Sequence, residues 1–445
     1  MKARTLTAAA FVAAALVTSV GSGQSKGIRP LVLRPAPVTS PLLGISFSRL
    51  DTRLVRLDPR SLLPRGRSIS LERYTGAWSF SPDRRQLVFG SGYSQLSESP
   101  AAVRFFDVST LRPLHDLVLG PSAEIQVLDW AAPDRLLAVV RSCCPAASSV
   151  SLVDTASGAV LARHALAGEL VAAGRARAAL VLLLEPTSFG PVRLAVAGAD
   201  GALRTVDLDR VLGGPSTTPA PQSYRTEDRA GLAVDASGAR AYAVAANGPI
   251  GEVDLASLGV TYHTLAQPVS FLGRLHDWLE PRAQAKTGAL ERSARSALWL
   301  GDGRLAVFGS DGTARWQDGR LEVRTRPSGL TVIDTSTWQS QVLDPGSAWA
   351  VVARDALLSF GATWDSAKQR ETGSGLRVYG RDGAERLHLF GSRAIAIVEV
   401  FGSRAFVHRS SPDSDYSIVS LTSGRVLRTI HRDLPLVLRG AGSGY

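Results

Sequence analysis

Six residues in long polar segments carry the side chains best suited to touching a ligand: Tyr93, Glu185, Tyr224, Trp316, Trp364 and Arg370. Between them they offer aromatic faces, a carboxylate and a guanidinium, the mixture that lines a binding mouth. Asp413 and Asp415 flank Ser414 and are the oxygen ligands Ca2+ takes, although two carboxylates fall short of the roughly six to eight oxygens such an ion gathers. They form the single weak metal candidate, and any other cofactor stays unassigned. The histidines do not add to it. His115, His164, His263, His388 and His431 each fall in the last strand of a repeat, which spreads them around a rim. Cys143 and Cys144 are adjacent, so they cannot staple distant segments, and they lack Cys-x-x-Cys spacing. Free thiols, a vicinal disulfide or a soft-metal contact remain open for them. No Gly-x-Ser-x-Gly turn, His-Glu-x-x-His helix, phosphate loop or dinucleotide fingerprint occurs. Whether the chain catalyses anything stays uncertain, with the balance toward no.

The elements that position these residues repeat. Ala77 to Phe80, a Ser-Pro-Asp-Arg turn at 81–84, Gln86 to Gly90, Val103 to Asp107 and Pro113 to Leu119 read as four strands with tight first and last turns. The same order recurs from Val127 to Leu166 and from Gly231 to Ser257. An aspartate closes the third strand of successive units, at Asp58, Asp107, Asp154, Asp200, Asp254, Asp334 and Asp382. There it is expected to accept hydrogen bonds from the following turn. A repeat of about 45 residues with four strands is a propeller blade.

The expected fold is an all-β propeller of four-stranded antiparallel blades, eight or alternatively seven. The first unit lacks an inner strand and Leu434–Leu438 is left over, so a C-terminal strand is expected to complete that blade and close the ring. Residues 41–440 form this single domain. A helical insertion is expected at about 267–295, where Phe271, Leu272, Leu275, Trp278 and Leu279 fall at helical spacing. Residues 23–40 read as a linker and 441–445 as a tail.

Val332-Ile333-Asp334-Thr335-Ser336-Thr337 and Leu152-Val153-Asp154-Thr155-Ala156-Ser157-Gly158 resemble the surface-layer-type YVTN repeat, and Ser81-Pro82-Asp83 is similar to WD-like and TolB-like repeats. The resemblance covers most of residues 40–440. It implies the propeller fold and leaves function open, because this fold hosts unrelated activities.

Lys2 and Arg4, the apolar run Leu6–Val20 and the small residues Gly21-Ser22-Gly23 have the order of a secretory signal peptide. Residues 1–22 are therefore read as a leader, with a secreted or extracytoplasmic mature chain. No other apolar run reaches spanning length. The net charge of +11 comes almost wholly from arginine, spread along the chain, which argues against a nucleic-acid groove. It is compatible with attraction to acidic glycans or an anionic envelope surface.

In a blade, the second-to-third-strand loops and the links between blades share one face. The long segments 90–101, 142–149, 186–191, 213–229, 309–328 and 363–375 are all of these kinds, so that face is expected to bind. The reading that follows is a secreted, monomeric, non-enzymatic module that binds a protein or envelope glycan. The alternatives are a propeller enzyme of hydrolase, lactonase or quinoprotein type with a metal or cofactor in the central channel, and a purely structural envelope component.

Overall fold

The structure, a computed structural model, describes residues 41–47, 51–92, 100–121, 123–142, 147–217, 224–265, 289–317, 320–353, 356–366, 370–409, 415–439 and 441–443. Every described regular element is a strand, and among the described residues no helix is long and apolar enough to cross a membrane. The architecture is a β-propeller built on four-stranded antiparallel meanders.

Five blades are discrete sheets. The first joins β1 (Leu43–Phe47), β2 (Thr52–Leu57) and β3 (Pro64–Ser70) to β34 (Leu436–Val437). The second holds β4 (Ala77–Phe80), β5 (Gln86–Gly90), β6 (Ala101–Asp107) and β7 (Pro113–Gly120), with β35 (Ala441–Ser443) added beside β4. The third comprises β8 (Ala123–Ala132), β9 (Arg135–Ser142), β10 (Ala147–Asp154) and β11 (Val160–Leu166). The others are β17 to β20 (Gly231–Val234, Arg240–Val244, Ile250–Asp254, Val260–His263) and β30 to β33 (Ile395–Phe401, Arg404–Arg409, Tyr416–Ser420, Val426–Ile430).

The expectation of eight or seven separate blades closed into a ring is corrected by the pairing of the remaining strands. They fuse into one 14-stranded sheet, and no sheet closes on itself. This sheet starts with β12 (Glu169–Ala176), β13 (Ala179–Glu185), β14 (Gly190–Ala197) and β15 (Leu203–Thr217). It continues through β16 (Tyr224–Arg229), β21 (Ala289–Gly301), β22 (Arg304–Gln317), β23 (Arg320–Pro327), β27 (Ala356–Asp365) and β28 (Arg370–Gly380) to β29 (Glu385–Leu389). Also attached are β24 (Leu330–Asp334), β25 (Ser340–Asp344) and β26 (Trp349–Val352). The cause is local: segments read from sequence as loops continue as strand. At 15, 13 and 14 residues, β15, β21 and β22 are far longer than the other strands of their meanders. At ~3.3 Å per residue they extend about 43–50 Å and overrun the blade body. Their overhanging ends are joined across blade boundaries by β16 (Tyr224–Arg229), which pairs with both β15 and β21, and by β23 (Arg320–Pro327), which links β22 to β27. The chain's end is also divided: Ile45 pairs with Leu436, whereas Trp78 of the next sheet pairs with Gly442.

The helix expected within 267–295 lies mostly outside the described residues, and residues 289–295 belong to β21. The leader and linker also lie outside them.

Burial follows position in the blade. The second strand β13 is buried from Leu180 onward, as its apolar Leu-Val-Leu-Leu-Leu run requires, while the outermost β11 is mostly exposed. The core lies between neighbouring sheets. Leu183, Val192, Leu194 and Leu208 pack against Ala241, Ala243 and Val253 of the next sheet. Phe105 meets Trp130 edge-on across another sheet boundary, at 6.0 Å.

The recurring aspartates are turn formers. Asp154 Oδ1 accepts the N–H groups of Ala156 (3.1 Å) and Ser157 (2.7 Å), and Asp254 Oδ1 does the same for Ala256 (3.1 Å) and Ser257 (2.8 Å). The Ser157 hydroxyl donates to Asp154 and the Ser257 hydroxyl to Asp254, and together with the N–H bonds they stabilise the ionised carboxylates and hold both groups below the usual range. Gly158 ends its turn at φ 73°. This face of the disc is therefore trimmed to tight turns.

Candidate functional site

The opposite face carries a crown. The far ends of β15, β21, β22, β27 and β28, with the whole of β16 and β23, form a continuous run ordered β15-β16-β21-β22-β23-β27-β28. Its pairs are antiparallel except β16–β21, where Tyr224 to Arg229 run parallel to Ala289 to Ala294. Alternation gives each strand two faces.

On one face Glu227 aligns with Arg292. Glu227 is 8% exposed and accepts from Arg229 Nε (2.9 Å) and Arg292 Nε (3.0 Å). Burial pushes its carboxyl up, but the two guanidinium groups outweigh that and hold it below the usual range. Arg229 also approaches Glu169 at 4.0 Å, and Arg141 reaches Glu169 at the same distance from the neighbouring blade. Beyond Arg141, Glu124 is pushed up by burial, opposed by that arginine. Charges on five strands, β8, β9, β12, β16 and β21, therefore form one chain along the base of the crown.

Glu185 ends β13 beside this chain. It is 4% exposed, and its Oε1 accepts the Ala230 N–H at 2.7 Å. Burial is the largest influence and raises its carboxyl to about 8, against the pull of the Ala230 bond and Arg229, with Glu227 and Glu169 adding repulsion. Glu185 is thus a protonated, uncharged acid at neutral pH. Gly213 permits this placement, since a Cβ there would sit 3.0 Å from Glu185 Oε1.

On the other face lies a ladder of alternating sign. Arg295 pairs with Asp311 at 2.9 Å, Arg326 approaches Asp311 at 3.8 Å, and Arg324 approaches Asp365 at 3.8 Å. Asp228 joins them, raised by burial, with Arg295 opposing and Asp311 and Glu291 reinforcing. Arg324 and Arg326 are exposed.

The crown gathers several of the residues singled out from sequence. Trp364 lies in β27 opposite Thr325 and Glu371, and its buried indole N–H has no hydrogen-bond partner among the described residues. Tyr224 opens β16, Trp316 lies in β22 opposite Leu321, and Arg370 opens β28 opposite Asp365; the side chains of these three lie outside what the structure describes. Tyr93 and Asp413 lie outside the described residues altogether. Asp415 is 5% exposed and its carboxylate is taken by the Arg409 guanidinium, which leaves it poorly suited to an ion. Reasoning from sequence missed Arg229, Arg292 and Glu169. The only signal was the run of charges at 227–229 and 291–295, and nothing in it shows that two separate links pair in parallel.

Two of the rim histidines serve packing. His164 Nε2 bonds the Gly201 carbonyl oxygen at 2.7 Å, and His263 bonds Glu252 (2.7 Å) while stacking on Trp338.

No protein-family model and no curated protein matches the chain. Among solved structures it is similar to the dihydro-heme d1 dehydrogenase NirN in complex with DHE, with a TM-score of 0.54 and 14% identity over 94% of this chain and 79% of that one. The periplasmic gluconolactonase PpgL of Pseudomonas aeruginosa gives a TM-score of 0.43 at 14% identity, covering 91% of this chain and 98% of that one. Apo AztD from Citrobacter koseri gives 0.44 at 10%, covering 91% and 98%. Such identities speak to fold alone: the chain is a β-propeller.

Proposed function

We propose that this protein is an exported, non-enzymatic propeller that binds a protein partner at the cell envelope through its crown. The carrying observation is the asymmetry of the disc. One face is reduced to tight aspartate turns, while the other is extended into a sheet seven strands wide. A surface built of paired strands is pre-organised, so a partner docks without the entropy cost of ordering loops. The alternating charges of Arg324, Arg326, Asp311 and Asp365 favour a folded protein with complementary alternation; an envelope glycan is the other occupant of the same surface. Export is supported by the leader-like order of residues 1–23.

The enzyme reading draws on the raised carboxyls of Glu185 and Asp129, the latter pushed to about 6 by burial. Yet Glu185 is closed off beneath the crown and Asp129 is engaged by Arg175 at 3.3 Å, so neither is presented to a substrate.

The test is capture from an envelope fraction with the wild-type protein and with a variant carrying Arg324→Glu and Arg326→Glu. Loss of one recovered protein by roughly tenfold, with capture intact in a variant carrying Arg177→Glu and Arg240→Glu on the tight-turn face, supports the proposal. Equal recovery by both variants removes the crown as the binding surface.

A further inference from the structure

The tight-turn face is not electrically uniform. β3, the outermost strand of the first blade, exposes Arg65 and Arg67, and the turn before it exposes Arg60. That turn is clamped on both sides. Arg404 Nη1 donates to the Arg60 carbonyl oxygen at 3.3 Å, and Tyr416 Oη donates to the Ser61 carbonyl oxygen at 2.6 Å, both from the last blade. On the other side, Arg56 of β2 donates to the Ser109 carbonyl oxygen in the last turn of the second blade. Three consecutive blades are thereby locked into one sector. The turns flanking it expose Arg425 on one side and Arg85 and Arg112 on the other.

The acids within this sector offset only part of the excess. Asp58, Asp83 and Asp107 direct oxygens into their own turns, toward Ser61 (2.7 Å), Ser81 (2.7 Å) and the Thr110 N–H (2.7 Å). Among the described residues Arg60, Arg67, Arg112 and Arg425 form no ion pair, Asp58 lies 3.6 Å from Arg65 and Asp83 3.9 Å from Arg85, and Arg56 and Arg65 stand directly opposite each other across β2 and β3. Like charges in register destabilise a sheet. Elsewhere on this face aspartates accompany the arginines as well: Asp134 and Asp154 stand with Arg135, and Asp235 and Asp254 with Arg177, Arg204 and Arg240.

We infer that this sector is a docking strip for a linear acidic glycan of the cell envelope. Guanidinium groups pair bidentately with carboxylate, sulfate or phosphate oxygens, and an opposed pair with only one acid partner between them gains from a polyanion laid across it. The strip lies on the face away from the crown, so it is independent of the crown's role: the propeller would hold to an acidic polymer by one face and present the other.

The experiment measures binding of the purified protein to polygalacturonate and to heparin, as carboxylate and sulfate probes, at two salt concentrations. One variant carries Arg60→Gln, Arg65→Gln and Arg67→Gln. A charge-matched control carries Arg177→Gln, Arg240→Gln and Arg386→Gln. The strip variant is expected to lose at least about tenfold in affinity for one or both probes, and the control to stay within about twofold. A third variant, carrying Arg60→Lys, Arg65→Lys and Arg67→Lys, is expected to recover part of the loss, and matched thermal midpoints show that all variants fold. Equal losses in strip variant and control overturn the proposal in favour of diffuse charge. Absence of salt-sensitive binding by the wild type, or tighter binding to duplex DNA than to either glycan, also overturns it.

Discussion

Replacing Glu185 by glutamine makes the most demanding prediction. In the folded protein burial raises this carboxyl to about 8, while in the unfolded chain it titrates near its ordinary 4.5. Folding therefore takes up a proton between these values. The raised pKa contributes stability in full below about pH 4.5, and that contribution is lost as pH rises through 8. At ~1.4 kcal/mol per unit over about 3.5 units, the loss is on the order of 5 kcal/mol. Glutamine keeps the oxygen that accepts the Ala230 N–H bond and cannot ionise. The assay is denaturant unfolding of wild type and Glu185→Gln from pH 5 to pH 9. Contributions from other carboxylates are common to both proteins and cancel in the difference. The two are expected to be close near pH 5, with the variant progressively more stable above pH 6 and ahead by several kcal/mol at pH 9. Parallel pH profiles would refute the assignment of a buried neutral acid.

Two further outcomes follow from the crown's construction. Glu227→Gln removes the charge that Arg229 and Arg292 share and leaves both partly buried guanidiniums poorly compensated; it is expected to cost about 3 kcal/mol in denaturant unfolding. Gly309 stands at the root of the crown, where a Cβ would come within 2.0 Å of the Ala294 carbonyl oxygen. Gly309→Ala is therefore expected to force β21 and β22 apart, giving faster amide exchange in residues 289–294 and 310–317 while the exchange of β8 to β11 is unchanged.

The repeat was legible because it is written in local chemistry. Alternating apolar residues, Ser-Pro-Asp turns and the aspartates at 107, 154, 254 and 334 each act over a few residues, so their spacing reveals strands, turns and the propeller without long-range information. The same locality explains the histidines, which sequence position alone put on the rim. Blade separation was not legible. Segments 213–229, 309–328 and 363–375 carry the Gly, Pro and polar residues of loops, and their described parts are strand because overhanging neighbours supply hydrogen-bond partners. Glu185 was singled out for its place in a long-loop region, but its uncharged state depends on the burial imposed by the Ala230 link and Gly213. The arginines at 60, 65, 67, 85, 112 and 425 look dispersed along the chain, and only the joining of the last blade to the first two gathers them. By itself the sequence determined the repeating unit and the side of the disc on which length accumulates. Which of those lengths pair, which acid is neutral and where charge concentrates were decided by tertiary contacts, because pairing, desolvation and electrostatic potential each depend on residues brought together from far along the chain.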